Sequence, residues 1–276
     1  MIVRRILDII FYVIIFVLSQ IFAMLALGVG RLLSKGVGFG DALMKTLEGQ
    51  AGVSDAKSLV LISVISSLIV VFVFVWRRWS PSSREYIRTR PWAVLLWIVP
   101  LALGTIIPSL WLQDQFSIDV SDELEQALGG ILSEPWGYFA VGILAPLAEE
   151  MVFRGAVLRT LLMLFNRRWH WAAIALSALI FALVHGNLAQ GLHAFLLGLL
   201  LGWLFYRSGS IVPGVVLHWV NNTVAYVAYN LLPQSADMTL LELFKGNERS
   251  VWMALAFSAC LFLPSLFQLA MRMRKS

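Results

Sequence analysis

Two adjacent carboxylates and a guanidinium lie within a long apolar stretch of this sequence. In LAPLAEEMVFRG, residues 144–155, Glu149 precedes Glu150, and Arg154 follows four residues after Glu150. Each such charge costs at least about 2.5–3.5 kcal/mol at the centre of a membrane helix. The i, i+4 spacing puts Glu150 and Arg154 on one helical face and predicts an internal ion pair. Glu149 points about 100° away around the helix and therefore needs another partner.

Candidate partners for Glu149 follow in two later apolar stretches. In LIFALVHGN, His185 comes four residues after Phe181, and in VVLHWVNNT, His218 and Asn222 are four residues apart and share a helical face. Pro146, just before the carboxylates, has no backbone N–H, so we expect a kink and a freed carbonyl nearby. Bundling these helices would gather one carboxylate, two imidazoles and a carboxamide around one cavity.

This set of side chains has the parts for hydrolysis. Glu149 can act as general base on a water that His185 orients, while His218 and Asn222 can stabilise the oxyanion of a tetrahedral intermediate. Alternatively, Glu149, His185 and His218 can serve as three zinc ligands with water as the fourth, although the sequence has no HExxH motif. An isolated membrane histidine more often forms a hydrogen bond between helices, and we interpret His193 and His170 in that structural way.

The composition is that of an integral membrane protein. Of the 276 residues, 59% are hydrophobic and 13% are charged, whereas soluble domains average roughly 45–50% and about 25%. Eight runs are long enough to cross a hydrocarbon core of about 30 Å as helices. They are predicted at residues 6–29, 58–76, 91–112, 136–165, 170–187, 189–206, 210–232 and 251–270. The sequence thus predicts an all-α polytopic bundle forming a single membrane domain, 1–276, with core helices at 136–232.

The charged residues between these runs predict the topology. The net charge of +5 comes from arginines clustered at the ends of apolar runs, which membrane topology explains without any nucleic-acid partner. Basic clusters at 77–90, 167–168, 207 and 272–275 fall on one side, and the acidic segment from Asp114 to Glu134, which includes Asp119, falls on the other. We therefore expect a multi-pass protein of a bacterial cytoplasmic membrane with both termini cytoplasmic. Within the acidic segment, Ser121 is the predicted N-cap of a short surface helix.

In this order on three helices, Glu149-Glu150-xxx-Arg154, Phe181-xxx-His185 and His218-xxx-Asn222 resemble the three motifs of the CPBP family. This family comprises CAAX prenyl endopeptidases and bacteriocin-processing or abortive-infection (Abi) proteins. The resemblance covers about 85 residues and implies an intramembrane endopeptidase with an eight-helix core and a peptide or lipidated protein substrate.

The resemblance also implies roles for individual residues. Glu149 and His185 would activate the water, and His218 and Asn222 would form the oxyanion site. Glu150, Arg154 and Phe181 would support the site. The better-studied members resemble glutamate-dependent enzymes without an obligatory metal, and Asn222 is a poor zinc ligand, so we favour the glutamic mechanism with no cofactor and keep zinc as the alternative.

Two other functional classes compete with the protease. The charged and imidazole groups suit a proton relay in an ion-coupled transporter, although the sequence has no inverted repeat and one cluster of midplane charges. A catalytically silent immunity or scaffold protein would keep the same residues for stability. In straight perpendicular helices, Glu149, His185 and His218 would lie at different depths, so tilts, kinks or shorter helices must align them.

Overall fold

The computed structural model describes residues 2–116, 121–232 and 238–273 and is helical, with no strand in these ranges. Asp119, Arg274 and Lys275, which entered the topology prediction, lie outside the described residues. The elements in chain order are α1 Ile2–Leu33, α2 Phe39–Leu47, α3 Ala56–Trp76, α4 Arg84–Arg88, α5 Trp92–Gln115, α6 Asp122–Ser133, a π-helical segment π1 Tyr138–Leu144, α7 Ala145–Glu150, a second π-helical segment π2 Met151–Leu158, α8 Arg159–Leu164, a 3-10 turn Arg167–Trp169, α9 His170–Leu183, α10 Leu188–Ser208, α11 Val212–Leu231, α12 Leu240–Leu243 and α13 Glu248–Arg272.

Every predicted span corresponds to a helical segment, and the all-α polytopic class is confirmed. Among the described residues, five helices are long and apolar enough to cross a membrane, namely α1, α3, α5, α10 and α13. The other three predicted spans carry the candidate site and are less regular: one changes helical type along 138–164, α9 is short, and α11 carries the polar residues of the third motif. The helices that carry the three motifs thus depart from simple membrane spans.

The predicted span 170–187 is too long at its C-terminal end. Helix α9 stops at Leu183, and Gly186 adopts a φ of 71° in the turn that leads to α10. With 14 residues, α9 extends only about 21 Å, less than the roughly 30 Å of a hydrocarbon core. His185 therefore lies in a turn beyond a short helix, which helps to explain how it reaches the depth of Glu149 and His218.

Capping side chains fix where two of the helices begin. Asp55 accepts the backbone N–H of Ser58 at the start of α3 and also pairs with Arg31 of α1 at 2.9 Å. Hydrogen bonds from Ser58 and Arg31 hold the pKa of the Asp55 carboxyl at about 2. Ser121 accepts the N–H of Leu124 at the start of α6, so the predicted N-cap of the surface helix is confirmed.

Two apolar clusters hold the helices around the site. The first joins α1, α3, the 138–164 segment and α9 through fully buried side chains such as Phe74, Phe153 and Phe181. The second joins α5, α10, α11 and α13 through Ile98, Leu201 and others. Because α10 and α11 contact both clusters, the polar site is bounded by well-packed apolar walls.

Candidate active site

Glu150 and Arg154 form the buried centre of the candidate site. Arg154 Nη1 donates to Glu150 Oε1 at 2.8 Å, and the two side chains are 1% and 0% exposed. Arg154 Nη2 also donates to the carbonyl of Gly198 in α10 at 3.3 Å, and its guanidinium lies 4.4 Å from the centroid of the Phe181 ring. The predicted internal pair is confirmed, and it ties π2 to α9 and α10.

His218 lies between the two glutamates. Its Nδ1 is 3.4 Å from Glu150 Oε1, and its Nε2 is 3.7 Å from Glu149 Oε2. The Glu150 carboxylate also approaches the backbone of α11, because a Cβ on Gly214 would lie 2.6 Å from Oε2. The third motif therefore docks on the first through an imidazole and a glycine, while the Glu149 carboxylate stays beyond hydrogen-bond distance of His218.

The conformation of His185 is set by its own helix. Its Nδ1 lies 2.8 Å from the carbonyl of Phe181, four residues earlier. Because a carbonyl only accepts, Nδ1 carries a hydrogen, and the neutral ring then keeps its lone pair on Nε2. The Phe181 ring also packs edge-on against both His185 and His218. The spacing in the second motif thus fixes the tautomer and the ring orientation of His185.

Asn222 bonds a carbonyl that the 138–164 segment leaves free. In an α-helix the backbone N–H of Ala145 would donate to the carbonyl of Val141, but here it donates to the carbonyl of Ala140. The next residue, Pro146, has no N–H, so no backbone donor occupies the Val141 carbonyl. Asn222 Nδ2 donates to this carbonyl at 2.8 Å instead. The prediction that Pro146 frees a carbonyl nearby is confirmed, and that carbonyl orients the carboxamide of the third motif.

His193 belongs to the site, although its sequence position gave no such indication. Its Nδ1 is 2.7 Å from Ser109 Oγ, and its Nε2 accepts from Asn221 Nδ2 at 3.2 Å. Asn221 Nδ2 also lies 3.2 Å from Asn222 Oδ1, so a hydrogen-bonded chain runs from α5 to Asn222.

The candidate residues converge on one cavity of about 440 Å³. Its polar lining consists of Glu149, His185, His193, His218, Asn222, Asn221, Gln113 and Gln190, and its apolar lining comes mainly from α6 and α10. Phe181 also reaches its wall, whereas Glu150 and Arg154 lie behind it. The cavity therefore presents a few polar groups on an otherwise apolar surface, as ligand sites commonly do.

The zinc alternative concerns three of the residues that line this cavity. Across residues 2–116, 121–232 and 238–273, no three His, Cys, Asp or Glu side chains are arranged to hold a metal ion. Glu149, His185 and His218 line the same cavity, and Glu149 Oε2 lies 3.7 Å from His218 Nε2.

Residues 131–224 match the family model described as type II CAAX prenyl endopeptidase Rce1-like. The matched range contains all three motifs and the helices that carry them, so the family resemblance of these motifs is confirmed. It supports a CAAX-type intramembrane protease. No curated protein and no solved structure matches the chain.

Proposed function

We propose that this chain, whose segment 131–224 belongs to the type II CAAX prenyl endopeptidase family, hydrolyses a peptide bond in a hydrophobic or lipidated substrate by a glutamic mechanism. The observation that carries the proposal is the single cavity shared by Glu149, His185, His218 and Asn222. A carboxylate, an imidazole with a free lone pair and two hydrogen-bond donors are the groups that amide hydrolysis needs.

Glu149 is the general base of the proposed reaction. Its side chain is 18% exposed, and Arg154 forms its ion pair with Glu150 rather than with Glu149. Glu149 takes a proton from water as the water oxygen attacks the carbonyl carbon, and His185 Nε2 accepts the second hydrogen of that water. That second hydrogen stays bonded to the water oxygen, and His185 only accepts a hydrogen bond from it. When the C–N bond breaks, Glu149 returns its proton to the leaving nitrogen, which leaves a carboxylic acid and an amine as products.

Asn222 and His218 bind the oxyanion. Asn222 uses one amide hydrogen on Val141 and keeps the second one for the substrate. Asn222 Oδ1 accepts a hydrogen bond from the amide group of Asn221, and the same amide group donates to His193 Nε2. Donors fixed before the reaction need little reorganisation as the negative charge develops, and His193 acts here as a positioning residue.

The substrate proposal follows from the walls of the cavity. Apart from the named polar groups, the lining is largely apolar and includes Leu128, Ile131, Leu132 and Leu197. Such walls accept aliphatic side chains or a hydrocarbon chain better than charged ones. We therefore propose an extended hydrophobic peptide segment, lipidated or not, as the substrate.

Cleavage of peptides by the purified protein in H₂¹⁸O tests this function. Matched hydrophobic peptides with and without a farnesylated C-terminal cysteine are incubated with the enzyme, and their products are identified by mass spectrometry. The proposal predicts two fragments, with ¹⁸O in the new carboxyl group of one of them. Intact peptides of both kinds after incubation with a folded protein would contradict it.

A further inference from the structure

A second cavity, which no histidine lines, also reaches Glu149. It has a volume of about 230 Å³ and lies between α1, α3 and α7. Glu149, Ile131 and Ala145 line both this cavity and the one that contains His185 and His218. The Glu149 carboxylate therefore stands at the junction of two compartments. We call the second one the serine cavity.

Hydroxyl groups give the serine cavity its polar wall. On α3, Ser63, Ser66 and Ser67 face it, and α1 contributes Ser19 and Gln20. These α3 residues repeat at the i, i+3, i+4 spacing of one helical face. One face of α3 therefore directs hydroxyl groups into this cavity.

The pattern of hydrogen bonds leaves these hydroxyls able to bind a polar occupant. Ser19 and Ser66 donate to backbone carbonyls of their own helices, and their oxygens keep lone pairs that accept. Ser67 is 6% exposed, and no group among the described residues forms a hydrogen bond with its hydroxyl. The Ser67 hydroxyl can therefore both donate to and accept from a water in this cavity.

We propose that the serine cavity binds the water molecules from which Glu149 draws the nucleophile. Its volume exceeds the roughly 30 Å³ that one water occupies in the liquid, and it offers several hydroxyls and a carboxylate as partners. Water then reaches Glu149 on one side while the apolar substrate fills the other side. The inference rests on the proposed function only for the use of this water in hydrolysis.

The presence of water is tested by thiol accessibility, which does not depend on peptidase activity. Cys260, the one cysteine of the sequence, is replaced by serine, and Ser67→Cys or Leu68→Cys is introduced into the protein in bilayers. Leu68 is the adjacent α3 residue and is 51% exposed on the outer surface, so it is a control that faces lipid at the same depth. A small cationic methanethiosulfonate reagent reacts with thiolates, which form in water.

We expect modification of Ser67→Cys at least about tenfold faster than that of Leu68→Cys, because burial in an apolar medium keeps a thiol protonated. Equal rates at the two positions, or no reaction at Ser67→Cys, would overturn the proposal. A labelled Ser67→Cys in a protein that cleaves no peptide would leave the water site standing and refute the peptidase.

The use of this water is tested by a second pair of variants. Ser67→Thr keeps the hydroxyl, whereas Ser67→Val replaces it with a methyl group of similar volume. We expect Ser67→Val to lower kcat several-fold with KM unchanged and Ser67→Thr to retain more of the rate. Equal kcat values for the two variants would show that the hydroxyl does not serve the reaction.

Discussion

The two adjacent glutamates differ in environment, and this difference separates their roles. Glu150 is fully buried and bonded to Arg154, whereas Glu149 lines two cavities and lies 3.7 Å from His218. A buried charge is stable only when it is paired, so Glu150 and Arg154 suit support and Glu149 suits proton transfer. The i, i+4 rule predicted the Glu150–Arg154 pair from sequence alone and left Glu149 to find another partner.

Breaking the Glu150–Arg154 pair should destabilise the protein. Glu150→Gln or Arg154→Met leaves one buried charge without its partner, at a cost of about 3–5 kcal/mol. We expect each single variant to lower the melting temperature in detergent. The double variant Glu150→Leu/Arg154→Met should melt higher than either one, because an apolar pair leaves no charge unpaired. Single variants as stable as the wild type would contradict the pair.

His193 marks the limit of local patterns at the residue scale. Its partners, Ser109 and Asn221, are 84 and 28 residues away along the chain. No i, i+3 or i, i+4 spacing connects them, and His193 therefore resembled a solitary structural histidine. Its place in the site depends on the packing of α5, α10 and α11, which a single sequence does not specify.

At the scale of elements, the π-helical segments on both sides of α7 shape the site. The wider turn before Pro146 releases the carbonyl of Val141, which accepts from Asn222. In the second π-helical segment, the carbonyl of Phe153 accepts from Ser177 of α9 at 2.9 Å. Such segments often occur at functional sites. Pro146 predicted a freed carbonyl, but the apolar residues around it gave no sign of π-helical turns, which depend on these tertiary partners.

Pro146→Ala tests the link between helix geometry and catalysis. Alanine restores an N–H that competes with Asn222 for the Val141 carbonyl, so the carboxamide should lose its fixed orientation. We expect kcat to fall by up to about 10²-fold, the scale of a misplacement of about one ångström, with little change in KM. Pro264→Ala in α13 serves as the control. Equal effects of the two variants would argue against the proposed orientation of Asn222.

At the scale of the whole molecule, eight helical segments and the all-α class were readable from continuous apolar runs. The end of α9 was not, because the apolar sequence continues through Val184 while Gly186 and Asn187 turn the chain. The orientation in the membrane stays a prediction. The bias of basic residues between spans and the even number of predicted spans together place both termini in the cytoplasm.

Reporter fusions test this topology. In a bacterial host we expect alkaline phosphatase fused to the C-terminus to be inactive and a fluorescent protein at the same place to be active. In a Cys260→Ser background, Glu123→Cys in α6 should react with an impermeant thiol reagent from outside the cell. An active phosphatase at the C-terminus would require an odd number of spans after a cytoplasmic N-terminus.

The central claim is that Glu149 activates the water that cleaves the peptide bond. The direct measurement is the single-turnover cleavage rate of Glu149→Gln, compared with the wild type and with Glu123→Gln as a surface control, each with and without a chelator. We expect Glu149→Gln to lose at least about 10²–10⁴-fold in rate while its melting temperature and the rate of Glu123→Gln stay close to wild type, with the chelator having no effect. Wild-type cleavage by Glu149→Gln would contradict the general base, and activity lost to the chelator and restored by zinc would contradict the glutamic mechanism.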